Sequence, residues 1–197
     1  MATTMQAIAD LAGVAVETVY AQGNKASLLT TCLDRSIVGD DEPVAFLDRP
    51  ELVAILASRD QVTIVTGWAR AITALAGRAC RILAAFEQGA ATDPALAELW
   101  RERESWRRKD YERLVARVAA CGPLACGRDA DAAVDVLWAL IGPDTAINLL
   151  VRCGWDVPRL TDLFTELALG LLIPAMTDPW GHRGQQGISH QVTEDRP

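Results

Sequence analysis

Apolar residues recur along this chain at spacings of three and four, and alternation of apolar and polar positions is nearly absent, so the pattern predicts helices and no sheet. Val62-Thr63-Ile64-Val65-Thr66 is the densest β-branched run, but it opens a long segment of helical spacing and is read as helix. The first helix is predicted to start at Thr3 as N-cap, with Gln6 completing a capping box. Met5, Ile8, Ala9 and Ala12 then line one face as far as Gly13. A short second helix covers about 16–22 and stops at Gly23-Asn24; a third begins near Lys25, buries Leu28, Leu29, Cys32 and Leu33, and ends by Gly39. After an acidic loop over 39–43, Pro50 opens a further helix. A long helix or a broken pair covers 61–91, with Gly77 as the break, and Asp93-Pro94 opens a helix running to Ala120. Asp129 or Asp131 starts another, which meets Gly142-Pro143 and continues to Cys153, where Gly154 stops it. Pro158 opens the last helix, 160–172, ended by Pro174. The expected fold is all-α.

Composition narrows the class. A chain of 197 residues, half of them hydrophobic and 23% charged, is long enough to bury a core and too apolar for general disorder. No run of about 18 uninterrupted apolar residues exists, and Leu167 to Met176 is cut by Glu166 and Pro174, so no membrane partner is expected. With no basic stretch before the apolar residues at the N-terminus, a soluble cytoplasmic protein is expected. The two histidines, His182 and His190, both lie in the polar segment 177–197, which is read as a disordered tail. An imidazole base or zinc ligand needs a packed setting, so the chain is read as no enzyme, with no metal and no cofactor. Five cysteines, odd in number and set mostly in apolar helical sequence, are read as buried reduced thiols; Cys121 and Cys126 are the one close pair.

The first 38 residues carry most of the functional signal. Two short helices joined at Gly13 read as a helix-turn-helix, because glycine takes a positive φ without steric cost. Ala9, four residues earlier, is small enough for the helices to cross closely, and Ile8, Val14 and Val19 are expected to fill the space between them. The run from Thr3 to Val14, followed by Thr18-Val19-Tyr20, Lys25 and Leu28-Leu29, resembles the helix-turn-helix and its continuation in the TetR (tetracycline-repressor-like) family of bacterial transcriptional regulators. Ala133 to Leu140, with Leu149-Leu150 and Gly154-Trp155, is similar to the regulatory half of many members. The resemblance implies a dimeric, ligand-responsive repressor whose second motif helix enters the major groove of an operator. By position, Val16 and Glu17 would face base edges, while Thr4, Thr18, Tyr20 and Lys25 would meet phosphates.

Three departures bear on that function. The family's first, bracing helix has no counterpart; the segment 21–24 is one residue short and lacks a phenylalanine; and Ala15 stands where a serine cap is common, at a cost of ~1 kcal/mol. Residues 1–38 also carry Lys25 and Arg35 against Asp10, Glu17 and Asp34, a net charge of −1, whereas DNA affinity comes mainly from neutralising phosphates. Weak operator binding is expected, and a dimeric ligand-binding or interaction module that has lost DNA binding is the alternative. Domains are drawn at 1–38 for the incomplete helix-turn-helix and 50–176 for the regulatory and dimerisation region.

Within the larger region, Trp68, Phe86 and Trp106, with Asn148 as polar group, are expected to line a cavity for a small lipophilic or aromatic effector. Stripes containing Val134, Leu137 and Trp138, and Leu163, Leu167 and Leu171, are expected to form a four-helix homodimer interface. The charge-dense run 101–110 is read as a solvated helix face, with Glu104 and Arg108 paired.

Overall fold

Short oxygen-bearing side chains start most of the helices, as seen in a computed structural model describing residues 3–38 and 46–174. Thr4 caps α1 (Met5–Ala12), its hydroxyl accepting from the Ala7 amide at 3.1 Å. Aspartates do the same for the longer elements: Asp60 for α5 (Gln61–Ala90), Asp93 for α6 (Pro94–Ala119), Asp129 for α7 (Ala130–Leu140) and Asp156 for α9 (Val157–Leu172). Each supplies an acceptor for one of the amides that a helix leaves unpaired at its start. The first cap therefore lies one residue later than the sequence pattern predicts, and Gln6 bonds forward to Asp10 at 2.8 Å instead of closing a capping box. The other helices are α2 (Val16–Ala21), α3 (Lys25–Val38), α4 (Pro50–Ala57) and α8 (Pro143–Ala146). Single turns at Phe46–Asp48 and Ala125–Gly127 and a π-helical segment at Ile147–Arg152 complete an all-helical chain with no strand among the described residues. The acidic loop 39–43 and the tail 177–197, with both histidines, lie outside the described residues.

Helix α5 is the axis of the larger region and touches α3, α4, α6, α8 and α9. It passes Gly77 without a break. A Cβ at that position would lie 2.6 Å from Val157 Cγ2, so the glycine gives room for α9 to approach. One turn away the buried Thr73 hydroxyl lies 2.7 Å from that of Thr161, and it also meets the Ala69 carbonyl at 2.8 Å. Residue 157 opposite 77 and 161 opposite 73 set the two helices antiparallel. Between them and α6 lies the main core, built on Ile64, Trp68, Leu114, Leu160 and Phe164. Trp68 meets Tyr111 edge-on at 5.4 Å, and the Tyr111 hydroxyl donates to the Ile141 carbonyl, tying α6 to the end of α7.

Loose helix ends are held by side chains from neighbouring helices. Arg117 donates to the carbonyls of Leu56 (2.5 Å) and Ser58 (2.6 Å) at the end of α4, and Gln61 donates to Val118 O at 3.0 Å at the end of α6. A second core joins Leu33 of α3 to Ala79, Cys80, Leu83 and Phe86 of α5. Among the cysteines, Cys80 is buried and Cys121 half-buried, but Cys32 and Cys153 are exposed, against the expectation of buried thiols. In α3 the inward direction is taken by Leu33, and its neighbour Cys32 is turned a quarter of a circle away.

Asp110 gives the fold a pH dependence. Burial on α6 raises its carboxyl to about 6, with Asp48 adding to the rise and Arg113, 3.9 Å away, opposing it. The folded chain therefore holds this proton over a range in which the unfolded chain has released it. Its contribution is complete below the ordinary carboxylate range and lost as pH rises through about 6. Urea titrations should show Asp110→Asn losing less stability than the parent between roughly pH 4 and pH 7. Parallel curves for the two chains would contradict this.

Candidate nucleic-acid interface

The turn between α1 and α2 is set by Gly13, whose φ of 67° is left-handed. No part of the described chain beyond its own immediate neighbours comes within 4 Å of where its Cβ would be, so the glycine is needed for its backbone and not for space. Val14 N then reaches back to Ala9 O at 3.1 Å, closing the end of α1. At the crossing, Met5, Ala9 and Val19 form a small core of their own, flanked by Ile8, Val16 and Leu28. Ala9 is completely buried, as the sequence reading requires. Val14 is not part of this core: it is 43% exposed, because the left-handed turn swings it outward.

With Val19 inward and Val16 half-buried, α2 presents Glu17, Thr18 and Ala21 outward, and Tyr20 flanks them at 60% exposure. Ala15 gives α2 no side-chain cap, so the amide of Thr18 is held only by the Ala15 carbonyl at 3.0 Å. Thr4 accepts from the Ala7 amide as the cap of α1, which leaves its hydroxyl proton to donate elsewhere. Lys25 is exposed at the first turn of α3. The residue that holds that turn is Asn24, whose side-chain oxygen accepts from the Ser27 amide at 2.9 Å and the Ser27 hydroxyl at 3.0 Å. Asn24 thus lies past the end of one helix and caps the next, and in the sequence only the first of these roles shows. Thr4, Glu17, Thr18, Tyr20 and Lys25 are thus all exposed on the three-helix unit.

Helix α3 links this unit to the rest. Besides Leu33, Asp34 pairs with Arg103 of α6 at 2.5 Å, and the Arg103 guanidinium lies 5.8 Å from the Phe86 ring. Arg78 of α5 donates to Ser36 O at 3.3 Å. The run 101–110 therefore does more than meet solvent: Arg108 pairs with Asp135 of α7 at 2.7 Å, and Glu104 pairs with Arg107 instead of Arg108.

The expected effector cavity does not assemble. Trp68 belongs to the main core and Phe86 to the second, while Trp106 is 53% exposed and Asn148 faces solvent, accepting from Arg152 at 2.6 Å. Trp106 lies about 140° around α6 from Tyr111, so packing Tyr111 inward turns Trp106 out. What the surface offers instead is an open groove of ≈ 670 Å³ along the first half of α5, overhung by Ile55 of α4.

The expected dimer residues also divide. Val134 and Leu137 are buried in their own chain's core and are not available to a partner. Trp138 is 37% exposed and stacks with the Arg107 guanidinium at 4.6 Å, whereas Leu163, Leu167 and Leu171 are half-buried against the core. The segment Ala130–Arg152 has a mean hydropathy of 1.5 over its most apolar stretch, long and apolar enough by length and composition alone to cross a bilayer, and 28% of that stretch is buried. Among the described residues no group of three His, Cys, Asp or Glu side chains could hold a metal ion. No protein-family profile, curated protein or solved structure matches the chain.

Proposed function

We propose that the protein is a cytoplasmic, dimeric DNA-binding regulator of the TetR type, in which α2 enters the major groove. The observation that carries this reading is a six-residue helix joined by a left-handed glycine to a completely buried alanine crossing, with Glu17, Thr18 and Tyr20 exposed. A helix placed this way can lie in a groove about 12 Å wide and read it with its first residues. Thr18, Tyr20, Thr4 and Lys25 supply phosphate contacts. Control runs through α3: the Leu33 core and the Asp34–Arg103 pair fix its angle to α5 and α6, so a ligand that prefers one angle shifts the spacing of two reading heads. A second copy of the chain covers apolar residues that 130–152 leaves exposed, among them Trp138, Leu140 and Val151. The acidic balance of the unit favours a second reading, an interaction module without DNA binding.

Salt titration separates the two. Fluorescence anisotropy on duplex DNA flanking the protein's own gene should show binding that strengthens as salt falls. Lys25→Ala should flatten the slope of log K against log salt by about 0.9 per chain. Tyr20→Ala should weaken binding by about tenfold, with the circular dichroism spectrum unchanged. Binding that is indifferent to both substitutions would favour the second reading.

A further inference from the structure

The groove along α5 is not used by the regulatory reading, and its chemistry is asymmetric. Its floor is α5 between Val62 and Ala71, with Ile55 of α4 forming one wall. Gly67 makes the wall possible: a Cβ there would stand 2.9 Å from Ile55 Cγ2, so any side chain would push α4 away. Apart from one residue, the lining is apolar or hydroxyl-bearing, with Thr63 and Thr66 as the polar groups. Thr63 is committed to Asp60, to which its hydroxyl donates at 2.6 Å. The exception is Arg70, exposed and forming no ion pair with any described residue, in a chain whose formal net charge is −7. Val62 and Arg70 are eight residues apart on one helix, which places them ~12 Å apart along its axis. A permanent cation therefore stands toward one end of an open, mainly apolar groove of limited length.

From this pairing we infer that the groove binds a free medium-chain carboxylate, its headgroup on Arg70 and its alkyl chain lying toward Val62 beneath Ile55. A guanidinium takes a carboxylate through two parallel N–H donors, which orients the ligand as well as attracting it. The alkyl chain covers apolar surface on α4 and α5 that otherwise faces water, and a groove of ≈ 670 Å³ falls in the size range of small-molecule sites. A cationic amphiphile of the same length meets Arg70 with like charge. The inference is independent of DNA binding, because its test reads only ligand uptake.

Isothermal titration calorimetry on the full chain, with decanoate held below its micellar concentration, provides that test. One decanoate per chain is expected to bind saturably, and decyltrimethylammonium not to bind. Arg70→Gln, a change at an exposed position, should weaken decanoate by about five- to tenfold. Thr66→Trp should abolish binding by filling the groove, with the melting temperature showing whether the fold survives. If it does not survive, the Arg70→Gln comparison decides. Equal binding of the cationic amphiphile, unchanged affinity in Arg70→Gln, or no saturable heat would each overturn the inference. One decanoate per two chains, with affinity falling as protein concentration rises, would assign the groove to a second copy and overturn it as well.

Discussion

Trp68→Ala is expected to cost about 3–5 kcal/mol of folding free energy. The indole is fully buried at the centre of the main core, edge-on to Tyr111 and on the helix that touches five others. Truncation removes the ring's transfer free energy and leaves a cavity that α5, pinned by Thr73 and Gly77 against α9, cannot close by shifting. Since whole domains are stable by only about 5–15 kcal/mol, the variant should sit near its unfolding transition at growth temperature. Trp106→Ala, at a solvent-facing tryptophan on α6, should stay within about 0.5 kcal/mol of the parent. Urea denaturation of the two variants side by side reads both numbers. A Trp68→Ala loss below about 1 kcal/mol would mean that the ring lines open space, as the sequence reading supposed, and not a packed core.

The second large effect is local. Ala9→Leu puts three extra carbons at a completely buried crossing, and overpacking of this kind costs about 1–3 kcal/mol. Among the described residues, the core that must absorb the cost is Met5, Ala9 and Val19 with Ile8, Val16 and Leu28 against them, and it is separate from the other two. The variant should therefore lose amide protection across α1 and α2 while α5, α6 and α9 exchange as in the parent. Specific DNA binding should disappear with the geometry of α2. Hydrogen exchange read by mass spectrometry resolves the two regions. Uniform protection in the variant would show that α1 and α2 tolerate a wider crossing, and the close-packed reading of Ala9 would fail.

Helix identity was legible in the sequence wherever a cap, a proline or a positive-φ glycine marks an end. Asp93-Pro94, Asp129, Gly13 and Gly154 all act as their residue types predict. Gly77 was not legible, because a glycine that breaks a helix and one that admits a neighbouring helix leave the same mark in one dimension. Only the approach of Val157 separates them. The apolar stripes posed a related problem. Val134 and Leu137 read equally well as interface or core, and what decides is the tilt of α7 against α6, fixed by Arg107, Arg108 and the Tyr111 hydroxyl. Aromatic size misled in the same way for Trp68, Phe86 and Trp106, since hydrophobicity records that a ring can be buried and not which side of its helix is inside. In α1 and α2, by contrast, the small buried Ala9 and the glycine turn are local features, and local features are what a sequence states most directly.

Whether α2 reads DNA is decided by selection from a random duplex pool. Native chain at low salt should enrich sequences with two half-sites related by a two-fold axis, their centres about one helical turn (~10 bp) or a multiple of it apart. A chain carrying Thr18→Ala and Tyr20→Ala together should leave the pool unenriched. A pool that stays random with the native chain, or one that both chains enrich alike, would contradict DNA reading by α2.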